Sequence, residues 1–187
     1  MPPKIKITRD DIVNTAVDIV RKCGVQSINA RTIAAALNCS TQPIFSNFAT
    51  MEELHQAVVD RSRQIYQDYI QREMEHSQLP SYKASGMAYI RFAKDEKELF
   101  KLLYMRNRTN SADHTDDEYF NSTVSFVQSY TGLSEAGARA FHLEIWAFVH
   151  GIATMFATNY LDLDWDLVSK MLSDAYFGLR KQYETEQ

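Results

Sequence analysis

The fold is decided by the stretch INARTIAAALNCSTQPIFSNFATMEELHQAV, Ile28–Val58. Asn29 can cap a short alanine-rich helix, because an asparagine side chain accepts hydrogen bonds from the first free amides. Asn38 is expected to end that helix with a positive φ, which asparagine tolerates better than most residues. Ser40 can cap a second short helix, with Pro43 in its first turn, where a proline costs little. The stretch therefore predicts two short helices separated by a tight turn.

Longer helices are predicted on both sides of this pair. Thr8 can cap a preceding helix with two aspartates in its first turn, and Gly24 ends it. Thr50 and Glu53 have the spacing of a capping box for a following helix that runs towards His76. Three helices with a tight turn before the third describe a helix-turn-helix unit.

The second and third helices of this unit share an apolar contact, and the other side of the third helix is polar and uncharged. The positions where two crossing helices must touch are apolar: Ile33, Ala34, Leu37, Ile44 and Phe48. The positions left facing outwards are Thr41, Gln42, Phe45, Ser46 and Asn47. Hydrogen-bonding side chains and apolar contacts read base edges in the major groove, whereas charge is needed mainly for phosphates. The pattern favours DNA binding, although a solvated polar helix without a partner has the same pattern.

The charge distribution agrees with a DNA-binding head on an acidic body. The chain has 187 residues and a net charge of −4. Residues 1–50 carry six Lys or Arg against three acids, and the remainder carries 14 against 21. The basic side chains that could meet phosphates are Lys4, Lys6, Arg9 and Arg31. A basic head is expected if only that part meets DNA, and chance is the alternative explanation.

The rest of the chain predicts further helices and no strands. Glycine and proline are scarce, at 6 and 4, and no hairpin turn pair is evident. We expect an all-α protein of about nine helices, with a DNA-binding domain at 1–50 and a larger helical domain at 51–187. No apolar run approaches the roughly 18–20 residues that span a membrane. The N-terminus lacks the apolar core of a signal peptide, so we expect a cytoplasmic protein.

Two apolar stripes near the C-terminus predict either a dimer interface or a monomer core. One stripe comprises Phe141, Ile145, Phe148, Ile152 and Phe156. The other comprises Val168, Met171, Leu172, Ala175 and Leu179. A two-fold dimer would space two recognition helices by about one DNA turn, ~34–36 Å, which matches a palindromic operator.

The helix-turn-helix segment resembles the head of the TetR family of transcriptional regulators. That family's pattern appears here as Arg31, Ile33 and Ala34, then Asn38-Cys39-Ser40, then Phe45 and Phe48, then Thr50-Met51-Glu52 and Leu54. By resemblance, the DNA contacts are expected at Arg31, Thr41, Gln42, Pro43, Phe45 and Asn47, with Lys4 and Lys6 as basic flanks. The resemblance also implies a homodimer through the last two helices.

Three positions depart from the family pattern. Asn38 stands where glycine is usual, and Phe45 stands where a tyrosine commonly bonds a phosphate. Met51 replaces a lysine that typically contacts a phosphate at the start of the fourth helix. A helical protein-interaction module with weakened or lost DNA binding is therefore the alternative function.

The segment WAFVHG, Trp146–Gly151, resembles a W-x-x-x-H-G signature of one branch of TetR-family ligand domains. The resemblance implies a repressor that a small, largely apolar ligand releases from its operator. The candidate ligand contacts are Tyr66, Phe92, Tyr104, Phe126, Trp146 and His150. Each of these side chains is equally explained as part of an ordinary core.

Neither catalysis nor a metal or other cofactor is expected. Two motifs have the E-x-x-H spacing found in di-iron bundles, Glu52–His55 and Glu73–His76. The two motifs lie 21 residues apart on one predicted helix. That separation is about 31 Å, too long for one site. The chain contains no nucleophile elbow, Walker loop or glycine-rich dinucleotide turn. The sequence does not identify the ligand, the operator or the regulated genes, nor does it separate a repressor from an activator.

Overall fold

The computed structural model describes residues 7–106 and 115–185. In the second range, the side chains of residues 118–183 are described. The chain is all-α, as predicted, and the described residues contain nine α-helices and no strand. The helices are α1 Arg9–Cys23, α2 Ala30–Ala36, α3 Gln42–Asn47, α4 Met51–His76, α5 Ser81–Asp95, α6 Lys97–Tyr104, α7 Thr115–Thr131, α8 Glu135–Ala157 and α9 Trp165–Thr185.

The first two helices begin and end at the predicted residues. Thr8 forms a reciprocal capping box with Asp11, and Asn29 forms one with Thr32. Gly24 ends α1 with φ 79° and ψ 166°, a backbone conformation that favours glycine. Asn38 has φ 51° in the turn before α3, as its sequence position predicted. These local signals set the turn between α2 and α3.

Two predicted caps were wrong in detail. The N-cap of α3 is Thr41 rather than Ser40, and no side chain caps this helix. Thr50 caps α4 as expected, but the Glu53 carboxylate accepts its hydrogen bond from the Ala49 amide, at 2.8 Å, rather than from Thr50. The reason lies in Arg9, whose guanidinium draws the other Glu53 oxygen towards α1 at 2.9 Å.

Arg9 joins three helices of the head. Its Nη1 donates to the Asn47 carbonyl at 2.8 Å and to Glu53, and its Cζ lies 4.0 Å from the centre of the Phe48 ring. The guanidinium therefore holds the end of α3 against the start of α4. The sequence predicted Arg9 as a phosphate contact, and the structure shows its exposed side chain already paired with Glu53 within the head.

One apolar core continues from the head into the body. Helix α1 packs on α4 and α6, and its buried side chains join a cluster that reaches Ile90 and Phe100. A second cluster, around Phe141, fills the space between α7 and α8. The division into domains at residue 50 stays a prediction.

The two C-terminal stripes contribute mainly to the core of one chain. Phe141, Ile152 and Phe156 on α8 are buried, as are Val168 and Leu172 on α9. Phe148, a member of the α8 stripe, is exposed instead, as are four large apolar side chains outside the stripes: Leu143, Trp146, Leu167 and Phe177. Helix α8 is thus apolar on its outer face as well as on its inner face.

Among the described helices, α8 is the one that is long and apolar enough to cross a membrane by length and composition. The sequence contains no uninterrupted apolar run of that length, because polar residues such as Glu144 and His150 interrupt the helix. Since 44% of its most apolar window is buried inside the protein, the helix is equally explained as the core helix of a bundle.

We predict that Arg21→Gln lowers the free energy of unfolding by about 1–3 kcal/mol. Arg21 donates to both carboxylate oxygens of Glu96, at 2.8 and 2.7 Å, and so ties α1 to the junction of α5 and α6. Glu96 is only 15% exposed, so its carboxylate would be left buried without its main partner. Urea unfolding of the variant provides the measurement.

The control is the double variant Arg21→Gln, Glu96→Gln, which removes the buried charge as well. It is expected to regain part of the lost stability, since a neutral amide costs less to bury than a carboxylate. A single variant as stable as the original protein would show that this ion pair does not tie the head to the body.

Candidate functional site

The outer surface of α3 exposes two side chains that no described residue binds. Gln42 is exposed, and Phe45 is 54% exposed, an unusual value for an aromatic side chain. Asn47 donates its amide to the Pro43 carbonyl at 2.8 Å, within the helix. Thr41 and Pro43 are half-buried at the N-terminus of α3. Of the five predicted contacts on or beside α3, Gln42 and Phe45 are therefore the most accessible.

Arg31 is an accessible cation on α2, the helix that precedes α3. It is exposed on the first turn of α2, and no ion pair with a described residue engages it. Lys4 and Lys6, the other predicted basic contacts, lie outside the described residues. Met51, where a lysine was expected by resemblance, is packed against the core.

A cavity of about 890 Å³ lies in the body, between α4, α5, α7, α8 and α9. Nearly half of its lining residues are aromatic or histidine: Tyr66, Tyr82, Tyr89, Tyr104, Tyr119, Phe120, Phe126, Tyr130, His142, Trp146, Tyr176 and Phe177. A concave, mainly apolar space of this size with a few polar groups is typical of a small-molecule site.

The structure separates the six predicted ligand contacts into two groups. Tyr66, Tyr104, Phe126 and Trp146 line the cavity. Phe92 is fully buried and packs its ring 5.3 Å from that of Tyr66, so it supports the wall from behind. His150 is also absent from the wall.

His150 lies between two aromatic rings one layer behind the cavity. Its ring stacks on Trp146, with centroids 5.0 Å apart, and on Phe100 at 5.8 Å. Its Nδ1 lies 2.9 Å from the Tyr89 hydroxyl, which satisfies one ring nitrogen. Burial lowers the pKa of His150. The imidazole is therefore a hydrogen-bonded core group in this structure.

A second histidine–tyrosine pair does reach the cavity. Nδ1 of His142 lies 2.8 Å from the hydroxyl of Tyr82, and both residues line the wall. His142 is only 7% exposed, and burial lowers its pKa to about 4. The imidazole is therefore neutral at pH 7 and presents a hydrogen-bonding group among aromatic rings.

The charged side chains on the described wall are basic. Arg63 pairs with Asp60, one turn earlier on α4, at 3.3 Å. Lys83 on α5 donates from Nζ to the Ser173 hydroxyl of α9 at 2.8 Å. The described lining contains no Asp or Glu.

Comparison with known proteins identifies this helical body. Residues 82–174 match the family model described as "Tetracyclin repressor-like, C-terminal domain". The matched segment runs from α5 into α9 and so carries most of the cavity wall. The chain belongs to the TetR family. TetR-like proteins are regulators of transcription and are generally not enzymes.

Solved structures share the fold of this TetR-family protein over nearly its whole length. A TetR-like transcriptional regulator from Rhodococcus sp. RHA1 superposes with a TM-score of 0.70 at 12% identity, covering 95% of this chain and 96% of that one. A protein of unknown function from the same organism gives 0.75 at 22% identity, with 98% of both chains covered. The multidrug binding protein EbrR, complexed with imidazole, gives 0.63 at 15% identity, covering 89% and 93%. No curated protein matches the sequence.

Sequence reasoning missed the polar part of the TetR-family cavity. Tyr82, Lys83, His142 and Ser173 were not proposed as ligand contacts, although each lines the wall. Tyr82 and Tyr89 lie seven residues apart on α5, facing two histidines eight apart on α8. That matched spacing was visible in the sequence, but the pairing of the two helices was not. The W-x-x-x-H-G resemblance stays a prediction.

The described residues of this TetR-family chain contain no group of three or more side chains suited to holding a metal ion. Glu52 and Glu73 lie on opposite parts of the single helix α4, as the sequence suggested. Glu73 is engaged by Arg91 at 3.3 Å instead. Nothing in the described site therefore suggests metal chemistry.

We predict that acid destabilises the fold through His142. Its folded pKa of about 4 lies below the ordinary value of 6.5, so the unfolded chain binds more protons between these two values. The stabilising contribution is present above pH 6.5 and is lost as pH falls towards 4, by about 3 kcal/mol at most. Urea unfolding at a series of pH values measures this loss.

In that experiment His142→Gln should flatten the stability profile between pH 6.5 and 4. The exposed residue His76 provides the control, since His76→Gln should leave the slope unchanged. An unaltered slope in the His142 variant would mean that the buried imidazole is not the titrating group.

Proposed function

We propose that this TetR-family protein is a cytoplasmic, homodimeric repressor without enzymatic activity. It binds a palindromic operator through α3, and a small, largely apolar ligand in the cavity releases it. One observation carries the proposal: α4 borders both surfaces. Its first turn is held against the end of α3 by Arg9 and Glu53, and its middle supplies Tyr66 to the cavity wall.

The geometry of α4 supports ligand control. Arg63, Tyr66 and Gln67 line the cavity about 18–24 Å along the helix axis from Met51. A continuous helix moves as one body, so a ligand that shifts its middle also shifts the end that holds α3. The ligand then acts only if it binds one arrangement more tightly than the other.

The outer face of α8 and α9 supports a homodimer. Gly151 and Gly178 occupy helix interiors, where glycine costs roughly 1 kcal/mol relative to alanine. A Cβ added at either position would meet nothing within 4 Å in the single chain. Their small size is explained by a partner helix that approaches closely. Exposed Phe148 and Phe177 supply apolar area on the same two helices.

The cavity supports a small organic ligand. Its volume of about 890 Å³ falls within the roughly 300–1,000 Å³ typical of sites for drug-sized molecules. A structural neighbour of the same fold is described as a multidrug binding protein. The Tyr, Phe and Trp rings provide apolar contact area, while hydroxyl and imidazole groups fix the orientation of the ligand.

We predict that Gln42→Ala weakens binding to the preferred operator by about 1–3 kcal/mol and leaves non-specific binding nearly unchanged. The exposed carboxamide can form two hydrogen bonds with an adenine edge, but it carries no charge for phosphates. Fluorescence anisotropy with a duplex selected from a randomised library measures both affinities at fixed salt.

The matched control is Gln64→Ala, which removes the same side chain from an exposed position on α4. It should leave operator affinity unchanged. Equal operator affinity for the Gln42 variant and the original protein would remove Gln42 from the recognition surface.

We predict that Gly151→Leu weakens the dimer by more than about 100-fold while the single chain stays folded. The added side chain enters open space in one protomer but blocks close approach of a second. Sedimentation velocity over a concentration series measures the dimer dissociation constant, and circular dichroism confirms helix content.

The control Gln71→Leu adds a leucine at an exposed site on α4 and should leave the dimer dissociation constant unchanged. An equally stable dimer in the Gly151 variant would place the interface elsewhere.

A further inference from the structure

We propose that the ligand is an aromatic carboxylic acid, bound as its anion, with its carboxylate paired to Lys83. This inference rests on the proposed role of the cavity as a ligand site and adds the chemical class of the ligand. It is argued from the charge of the wall, the position of Lys83 and the rings that surround it.

The charge on the described wall disfavours a cationic ligand. Its formally charged side chains are Arg63 and Lys83, and both are positive. A cation entering this space would meet no carboxylate among the described lining residues. Removing a charged ligand from water is costly unless a charge of opposite sign compensates it. The charge of the described lining residues therefore favours neutral or anionic molecules over cations.

Lys83 is the basic group available to an anion. Arg63 is already engaged by Asp60, whereas the described partner of the Lys83 ammonium is the neutral hydroxyl of Ser173. The lysine is half-buried between α5 and α9, where water screens its charge less than at an open surface. An ammonium has three donors, so a carboxylate can bind while the bond to Ser173 remains. The Ser173 hydroxyl accepts from Lys83 and itself donates to the Ser169 carbonyl at 3.3 Å, so the lysine supplies the charged donor for the ligand.

Aromatic rings line the same cavity as this polar corner and define the rest of the ligand. Tyr82, the residue before Lys83, packs edge-on against Tyr176, with ring centroids 6.1 Å apart. Phe120 lies 4.7 Å from the His142 ring on the adjoining wall. Rings in such positions favour a flat apolar body that can stack or meet them edge-on. An aromatic acid has both parts, a flat body and one anionic end.

The test compares three probes that share a naphthalene ring and differ in charge. They are 2-naphthoic acid, 2-naphthamide and 2-naphthylmethylamine, titrated calorimetrically into the full-length protein at pH 7.4. We expect the acid to bind at least about tenfold more tightly than the amide, as charge-assisted hydrogen bonds exceed neutral ones by that amount. The amine should bind most weakly.

Variants at Lys83 separate ligand pairing from a structural role in joining α5 to α9. Lys83→Met should abolish the preference for the acid and change amide affinity less than about twofold, because only the anion needs the charge. Lys83→Arg should retain the preference. Lys22→Met, at an exposed site on α1, removes one positive charge far from the cavity and should change nothing. A purely structural lysine would alter the affinities of all three probes together.

Each outcome has a distinct meaning. Equal affinity for acid and amide, or a preference that persists in Lys83→Met, would overturn the anionic assignment while leaving the cavity as a ligand site. Failure of all three probes to bind would overturn the assignment and also count against the proposed ligand control. Preferential binding of the amine would reverse the charge argument itself.

Discussion

The arrangement of the molecule depends on how α4 is held at its first turn. Arg9 binds the last carbonyl of α3 and the Glu53 carboxylate, and its guanidinium lies over the Phe48 ring. These contacts link α3 to α4 through two charged side chains that are nearly half exposed. The body of the protein is built around the remaining turns of the same helix. A change in the tilt of α4 therefore changes the position of α3.

This use of Arg9 affects how the head can bind DNA. An arginine engaged by Glu53 contributes little to phosphate binding, and Phe45 and Met51 provide neither a hydroxyl nor a charge. In the described head, Arg31 on α2 is an exposed cation that no described ion pair engages. A surface with few phosphate contacts gives a shallow dependence of affinity on salt concentration. The resulting specificity would depend on base edges, thymine methyl groups and DNA shape more than on charge.

The sequence predicted the helices better than it predicted their partners. Caps and breakers such as Thr8, Gly24 and Asn38 act within a few residues, so their effects were visible locally. The second half of the Glu53 capping box was mispredicted, because the Arg9 that binds Glu53 lies over forty residues away and its contact depends on tertiary packing. The cap of α3 was also mispredicted. The cavity shows the same limit. Aromatic residues suggested it, but only the approach of α5 to α8 and α9 places His142 and Lys83 on its wall.

The most direct test of a dimeric DNA-binding regulator is selection of bound fragments from the genome that encodes it. The purified full-length protein would be used at near-physiological salt. The account predicts enrichment of a palindrome whose half-site centres lie about one helical turn, ~34–36 Å, apart. Absence of any enriched sequence, from protein shown to be folded and dimeric, would contradict it. That result would instead favour a helical interaction protein whose head has lost DNA binding.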